Sequence, residues 1–581
     1  MDNLRLAPLV ALVALAGVAP FLSALRNSFY LGDAFAGMAN YRQLLADRGF
    51  PMAAAITIGW SLLSATTTLA IAYPLASLAM ASRRAYAILF PLFVAMWAVP
   101  VYIGAPLWRF VLHGAAGDSV FRTLTGIEIN LMNSPVAAFL STAMVASWFR
   151  LPQAVLILIA ALGRSRQSID DAARADGAGP AALAFTIHLP AMSGAIAAIA
   201  ALELVSAFKE FTVPFLMTAG GPPLLSGITN RTVVGATTTL EIYLYDLFSG
   251  YADSGIVSAY AVVLSLAVGL TVALGFLLRA AIKRRGSAAR YNGQLPRRIG
   301  RVPGRIADIG LAGSSWLIVG VLVSAALVLA FCILWMAFSG LSVAFVDSLI
   351  PRFFTTANFY KAFFEDGLAL ALANTLYVST LTAALVGLAA FPAAAWLADR
   401  PRAKAAAFFV VLQALSSSGG VHSLIPLYDL WRRLGLLGGY APVVLVYLYH
   451  SLPVALFALT EFMRDQPPSF KEAARLEGLG TFGYLWRIQL PLAMPAIGAT
   501  AMVAFLSAWN GFMAPLVFLD DDATYTIAVR LHAYVGSIAS GSPRWNLFAA
   551  ASIVNIAIVG LLFRFFKKPL ANTALSDQAD D

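Results

Sequence analysis

Charge is scarce in this chain of 581 residues: Asp, Glu, Lys and Arg make up 12% of it, against 60% for hydrophobic residues, and the mean hydropathy is +0.79. No soluble core needs so much apolar surface, and the composition is that of a polytopic membrane protein. Cysteine is rarer still. The single Cys332 excludes an internal disulfide, and the five histidines, at 113, 188, 422, 450 and 532, have no metal-ligand spacing. A Gly-x-x-x-x-Gly-Lys-Ser/Thr phosphate loop is also missing, so any ATP must be bound by another chain. No reactive constellation stands out, which argues against an enzyme. The net charge of +10 does not point to nucleic acid, because the basic residues lie in short loops between apolar runs.

What is present is a series of apolar stretches of spanning length, about 20 residues each. They lie near 6–25, 54–80, 86–108, 135–162, 190–207 and 256–278, then near 313–338, 367–398, 405–427, 440–463, 491–508 and 546–566. The expected fold is all-α, with two parallel six-helix halves. Most of the 39 Lys and Arg fall in alternate connecting segments, which predicts cytoplasmic termini. The first stretch is long and leads into no small-x-small cleavage site, so it reads as a retained helix rather than a signal peptide. From Arg279 to Arg305 the chain carries nine Lys or Arg. We therefore expect a first half over 1–285, a cytoplasmic linker over 286–311 and a second half over 312–581. The weaker apolar run 232–248 is expected as outer-surface structure, since another crossing would invert the basic linker.

The halves are copies. Asp171-Ala172-Ala173-Arg174-Ala175-Asp176-Gly177, running on to Ile187-His188-Leu189-Pro190, recurs 301 residues later as Glu472-Ala473-Ala474-Arg475-Leu476-Glu477-Gly478, running to Ile488-Gln489-Leu490-Pro491. Leu151-Pro152 and Leu452-Pro453 keep the register, as do Phe211 with Phe512 and Pro214 with Pro515. Upstream the shift is 318, matching Thr57 to Thr375 and Pro74 to Pro392, so the first half holds 17 extra residues, expected around 109–134. An acid that complements a helix dipole, two alanines that leave a flat face, a glycine for the turn and a proline for the next first turn describe a short polar helix entering a membrane helix.

This pattern, at about 164–190 and 465–491, resembles the cytoplasmic coupling loop of permeases in binding-protein-dependent ABC importers. Other stretches resemble the carbohydrate branch, the maltose- and glycerol-phosphate-type systems. In the first half these are Ser28-Phe29, Asn40-Tyr41, Asp176-Gly177-Ala178 and Thr218-Ala219-Gly220-Gly221-Pro222. In the second they are Asn374-Thr375, Ile425-Pro426-Leu427-Tyr428 and Trp509-Asn510-Gly511-Phe512. The resemblance implies a type I importer permease fold, with the two usual subunits fused in one chain. It implies a multi-pass protein of the bacterial cytoplasmic (inner) membrane, two separate ATPase subunits that bind ATP and Mg, and a periplasmic or lipid-anchored substrate-binding protein. Alternating access would be driven from outside the chain, which binds no cofactor and no metal itself. A fused iron- or thiamine-type importer is the alternative. A secondary carrier is disfavoured because the repeat is six spans long and hence parallel.

By this resemblance Asp171, Ala172, Ala173 and Gly177, with Glu472, Ala473, Ala474 and Gly478, couple to the ATPases. Arg150, Phe149, Gln153, Ser206, Lys209, Glu210, Trp97, Tyr102 and Asn510 are the candidate substrate contacts. Arg150 falls within a span, where a charge faces a cavity or a partner; the partner reading is an ion pair with Glu203 or Glu210. Arg150 and Lys209 lean the expected cargo towards an anionic carbohydrate derivative, and Glu210 leans it back.

Overall fold

A computed structural model describes residues 6–113, 119–162, 167–179, 182–225, 233–250, 253–291, 304–340, 351, 353–416, 420–536 and 543–575. Among these, nine helices are long and apolar enough to cross a membrane. They are α1 (Leu9–Asn27), α2 (Gly49–Ala81), α5 (Pro135–Leu162), α9 (from Ser254), α10 (to Phe338), α11 (Leu368–Ala398), α14 (Ala441–Arg464), α16 (Leu490–Trp509, with the turns before it) and α18 (from Trp545). The fifth expected stretch is the shorter apolar helix α7 (Ser193–Phe208).

The expected span 86–108 is not one rod. It divides into α3 (Arg83–Ala98) and α4 (Val101–His113), bent by 100°. Val99 between them is extended, ψ 113°, because it precedes Pro100, whose ring disfavours a helical conformation at the residue before it. In the second half the stretch 405–427 likewise divides into α12 (Arg402–Ser416) and α13 (Val421–Arg433); 417–419 lie outside the described residues.

The duplication is visible in single hydrogen bonds. Thr57 donates to the Ala53 carbonyl at 2.7 Å and accepts from the Leu240 amide at 2.8 Å, while Thr375 does the same with Ala371 at 2.7 Å and the Ile527 amide at 2.9 Å. Asn40 ties down the carbonyls of Ser28 and Tyr30, and Asn358 those of Ala337 and Ser339. A π turn precedes the Leu-Pro entry in each half, at Leu183–His188 and Leu485–Gln489. The halves differ where the extra residues were expected: Val120–Thr125 forms a short helix between α4 and α5.

Each half lends its first helix to the other. Leu9 of α1 lies in a core with Val386, Ala390, Leu452 and Leu456, whereas Val319 and Leu322 of α10 pack with Ala72, Leu75 and Leu151. Both ends of the expected linker are helical, since α9 runs on to Tyr291 and α10 begins at Gly304; 292–303 lie outside the described residues.

The run 232–248 corrects an expectation. It is not surface structure: its helix α8 (Leu240–Ser249) buries Leu240, Glu241, Ile242, Tyr243, Leu244 and Leu247, and packs against α9 and α13. Its second-half counterpart, α17 (Ile527–Val535), is buried in the same way.

Candidate functional site

Two regions gather the residues singled out by sequence. The first is the repeated loop, folded as the short helices α6 (Gln167–Ala175) and α15 (Ser469–Leu476). Gly177 at φ 86° and Gly478 at φ 76° hold the left-handed turn that closes each helix. The closing bonds match: the amides of Gly177 and Gly478 reach the carbonyls of Arg174 and Arg475 at 3.0 Å, and those of Ala178 and Leu479 reach Ala173 and Ala474 at 2.9 Å.

Asp171, Ala172, Glu472 and Ala473 are exposed, while Ala474 is buried and Ala173 half-buried, so each helix rests on one alanine and turns its acid outward. Neighbouring residues brace both helices. Asp170 Oδ1 lies 2.8 Å from His188 Nε2 on the following π turn, and Lys471 reaches Asp399 at 2.6 Å. Beside the second helix Leu476 is 89% and Phe482 74% exposed, an apolar surface that invites a covering partner.

The second region lies where the halves meet. Arg150 does not stand as a free cation. One guanidinium nitrogen donates to Glu210 Oε2 at 2.7 Å and to the Ser206 carbonyl at 3.3 Å, and the other donates to Ser64 Oγ at 3.0 Å. Its charge also sits over the Trp60 ring. Glu210 Oε1 in turn accepts the amides of Thr212 and Val213. Of the two acids considered for this pair it is Glu210, and the lean towards an anionic cargo loses the charge on which it chiefly stood.

Lys209 is enclosed by protein within electrostatic reach of Glu210 and Glu241. Glu241 of α8 and His422 of α13 are wholly buried against each other, Nδ1 to Oε1 at 2.5 Å, an ionisable contact between the halves that sequence reading did not single out. No local motif announces it, because its members are 181 residues apart.

The other candidates divide. Tyr102, buried, accepts from Asn555 at 3.1 Å, and Asn555 also accepts from the Trp509 indole at 3.0 Å, linking the halves. Phe149 packs against Gly104, where a Cβ would meet its ring. Gln153, at the next turn of α5, is exposed, and Trp97 near the α3–α4 bend is 56% exposed. Asn510 closes α16 beside Tyr447.

Comparison with known proteins agrees with the doubled geometry. Residues 68–286 and 390–571 each match the family described as binding-protein-dependent transport system inner membrane component. An ABC transporter permease protein, ORF1, of Streptomyces antibioticus is 39% identical over 211 residues, covering 36% of this chain and 90% of its own. The sulfoquinovosyl glycerol transport system permease protein SmoH of Agrobacterium fabrum is 31% identical, covering 38% and 75%. The trehalose transport system permease protein SugB of Mycobacterium tuberculosis is 26% identical, covering 38% and 81%. With the family matched twice over most of its length, the chain belongs to the binding-protein-dependent transport system inner membrane components, as a multi-pass membrane protein carrying two permease units in one polypeptide.

Proposed function

We propose that the chain supplies both permease halves of an ATP-driven importer that takes a carbohydrate or carbohydrate derivative from a binding protein outside the cytoplasmic membrane and releases it inside. The observation that carries this reading is the pair of matching exposed helices, α6 and α15, closed by the same hydrogen bonds and turning Asp171 and Glu472 outward. Each docks on one of two separate ATPase subunits, which bind ATP and Mg; closure of that pair rocks the halves about the interface between α8 and α13. Both termini and both docking helices lie in the cytoplasm. The sugar-transport names of SmoH and SugB support a carbohydrate cargo over the iron- or thiamine-type alternative. The halves divide near 286–311, and the family matches ending at 286 and resuming at 390 support that division.

The test is uptake into proteoliposomes holding the chain, its ATPases and its binding protein. Trehalose and sulfoquinovosyl glycerol represent neutral and anionic carbohydrates, with ferric ion and thiamine as controls. ATP-dependent uptake confined to a carbohydrate is expected; uptake of thiamine or iron alone overturns the cargo. Changing both Asp171 and Glu472 to Lys places like charge against the partners' basic grooves and should abolish uptake or assembly. Normal transport by that double variant would mean that the helices are not the couplers.

A further inference from the structure

The 301-residue register pairs the central polar residues of the two halves, and the pairs differ in one respect. Phe149 and Arg150 correspond to His450 and Ser451, Lys209 and Glu210 to Asn510 and Gly511, and Ala146 to Tyr447. In the first half Arg150 and Glu210 consume each other's hydrogen-bonding capacity, together with Ser64 and the amides of Thr212 and Val213. In the second half the matching polar atoms are left over. Among the described residues, the buried hydroxyl of Tyr447 and Oδ1 of Asn510 have no hydrogen-bond partner. The Tyr447 hydroxyl packs against Gly511, where a Cβ would lie 1.8 Å from it, so the carboxylate side chain of the first half has no room here.

His450 completes the group. It lies one turn after Tyr447 on α14, within electrostatic reach of Lys209 and His422. His450 and Lys209 are both half-buried and belong to opposite halves. Orphaned polar atoms cost free energy of about 1–3 kcal/mol each, and such a cost is retained where a ligand supplies the missing bond.

We propose that the second half reads the cargo: Tyr447, His450 and Asn510 hydrogen-bond the hydroxyl groups of the transported carbohydrate, with Lys209 of the first half facing them across the interface. The inference rests on the carbohydrate reading for the identity of the cargo and on the geometry for the residues. Hydroxyls both donate and accept, which suits a phenol, an imidazole and an amide oxygen presented together. The Arg150–Glu210 pair is then the wall behind the site and not its anion receptor.

The decisive variants are Tyr447→Phe, which removes one oxygen and keeps the ring, and His450→Gln, with uptake measured against concentration in proteoliposomes of the complete transporter. The expected result is a KM for the transported sugar raised about tenfold by Tyr447→Phe, the effect of one lost hydrogen bond. The melting temperature stays the same or rises, since the hydroxyl has no partner among the described residues. An unchanged KM in both variants overturns the proposal and leaves the carbohydrate reading standing; a raised KM with a lowered melting temperature makes the hydroxyl structural and also overturns it. If the cargo carried is not a carbohydrate but its KM rises in the same way, the site stands and the carbohydrate reading falls. A cargo-independent arm uses the lone buried cysteine to advantage. In a Cys332→Ser chain, Asn510→Cys should react with methanethiosulfonate ethylammonium and react more slowly in the presence of the transported compound, whereas an unreactive thiol would exclude an aqueous site.

Discussion

Arg150 shows how a side chain can be found from sequence while its role is not. Its place within a span marks it as a residue that needs a partner, and the structure supplies one in Glu210 at 2.7 Å, with side-chain exposures of 11% and 19%. Breaking such a pair from one side leaves the other charge uncompensated. Arg150→Gln and Glu210→Gln should each destabilise the fold by an amount on the order of 2 kcal/mol, read as a lower melting temperature, and the double variant should recover most of it. Uptake of neutral and anionic carbohydrates should fall together in Arg150→Gln. Loss confined to the anionic compound, with stability intact, would restore Arg150 as an anion receptor. Several residues that carry the family likeness have similarly plain work: Asn374 ties the carbonyls of Ala523 and Tyr525, and Ser28 bonds to Tyr41 at 2.7 Å. Their positions were legible as motif letters. Their partners were not, because those carbonyls lie up to 151 residues away.

At the scale of the element, the short helices α6 and α15 of the repeated loop were the most legible part of the chain. Everything they need is local: acid, two alanines, glycine and the Leu-Pro entry act within twenty residues. Helix α8 is the opposite case. Ten residues rise only about 15 Å, half of a bilayer core, so its apolarity suggested neither a span nor anything else distinctive. Its burial between α9 and α13 is set by which helices come to surround it. One consequence concerns Asp246 on α8, whose carboxyl is pushed up to about 7 by burial. A raised carboxyl pKa means that the folded state holds the proton more tightly than the unfolded chain. Its stabilising contribution is therefore complete below pH ~4 and is lost as pH rises through 7. Asp246→Asn should raise the melting temperature of the purified protein at pH 8 and change it little at pH 4. Equal effects at both pH values would show that the carboxyl is ionised throughout.

For the whole molecule, topology follows from where the basic residues lie. The proposed orientation, with both termini inside and six crossings per half, puts the basic segment between the halves inside as well. A cysteine at Ser287, in the Cys332→Ser chain, should be labelled by an impermeant maleimide only after the membrane is opened. Labelling in intact cells from the periplasmic side would invert the assignment.

The sequence by itself determined the class of protein, the apolar stretches, the duplication and the short helices of the repeated loop. These depend on composition, on span length and on short-range chemistry, and each can be read along the chain. The bend after Ala98 was missed, because the stretch was read as one span although Pro100 restricts the residue before it. Only the tertiary structure decided that α1 and α10 cross to the opposite halves, that Glu210 neutralises Arg150, that Glu241 meets His422, and that Tyr447 and Asn510 are left with atoms to spare. Identical registers place two residues at equivalent points, but whether their polar atoms are satisfied depends on every helix packed around them. That packing is a property of the assembled bundle, and no window of sequence contains it.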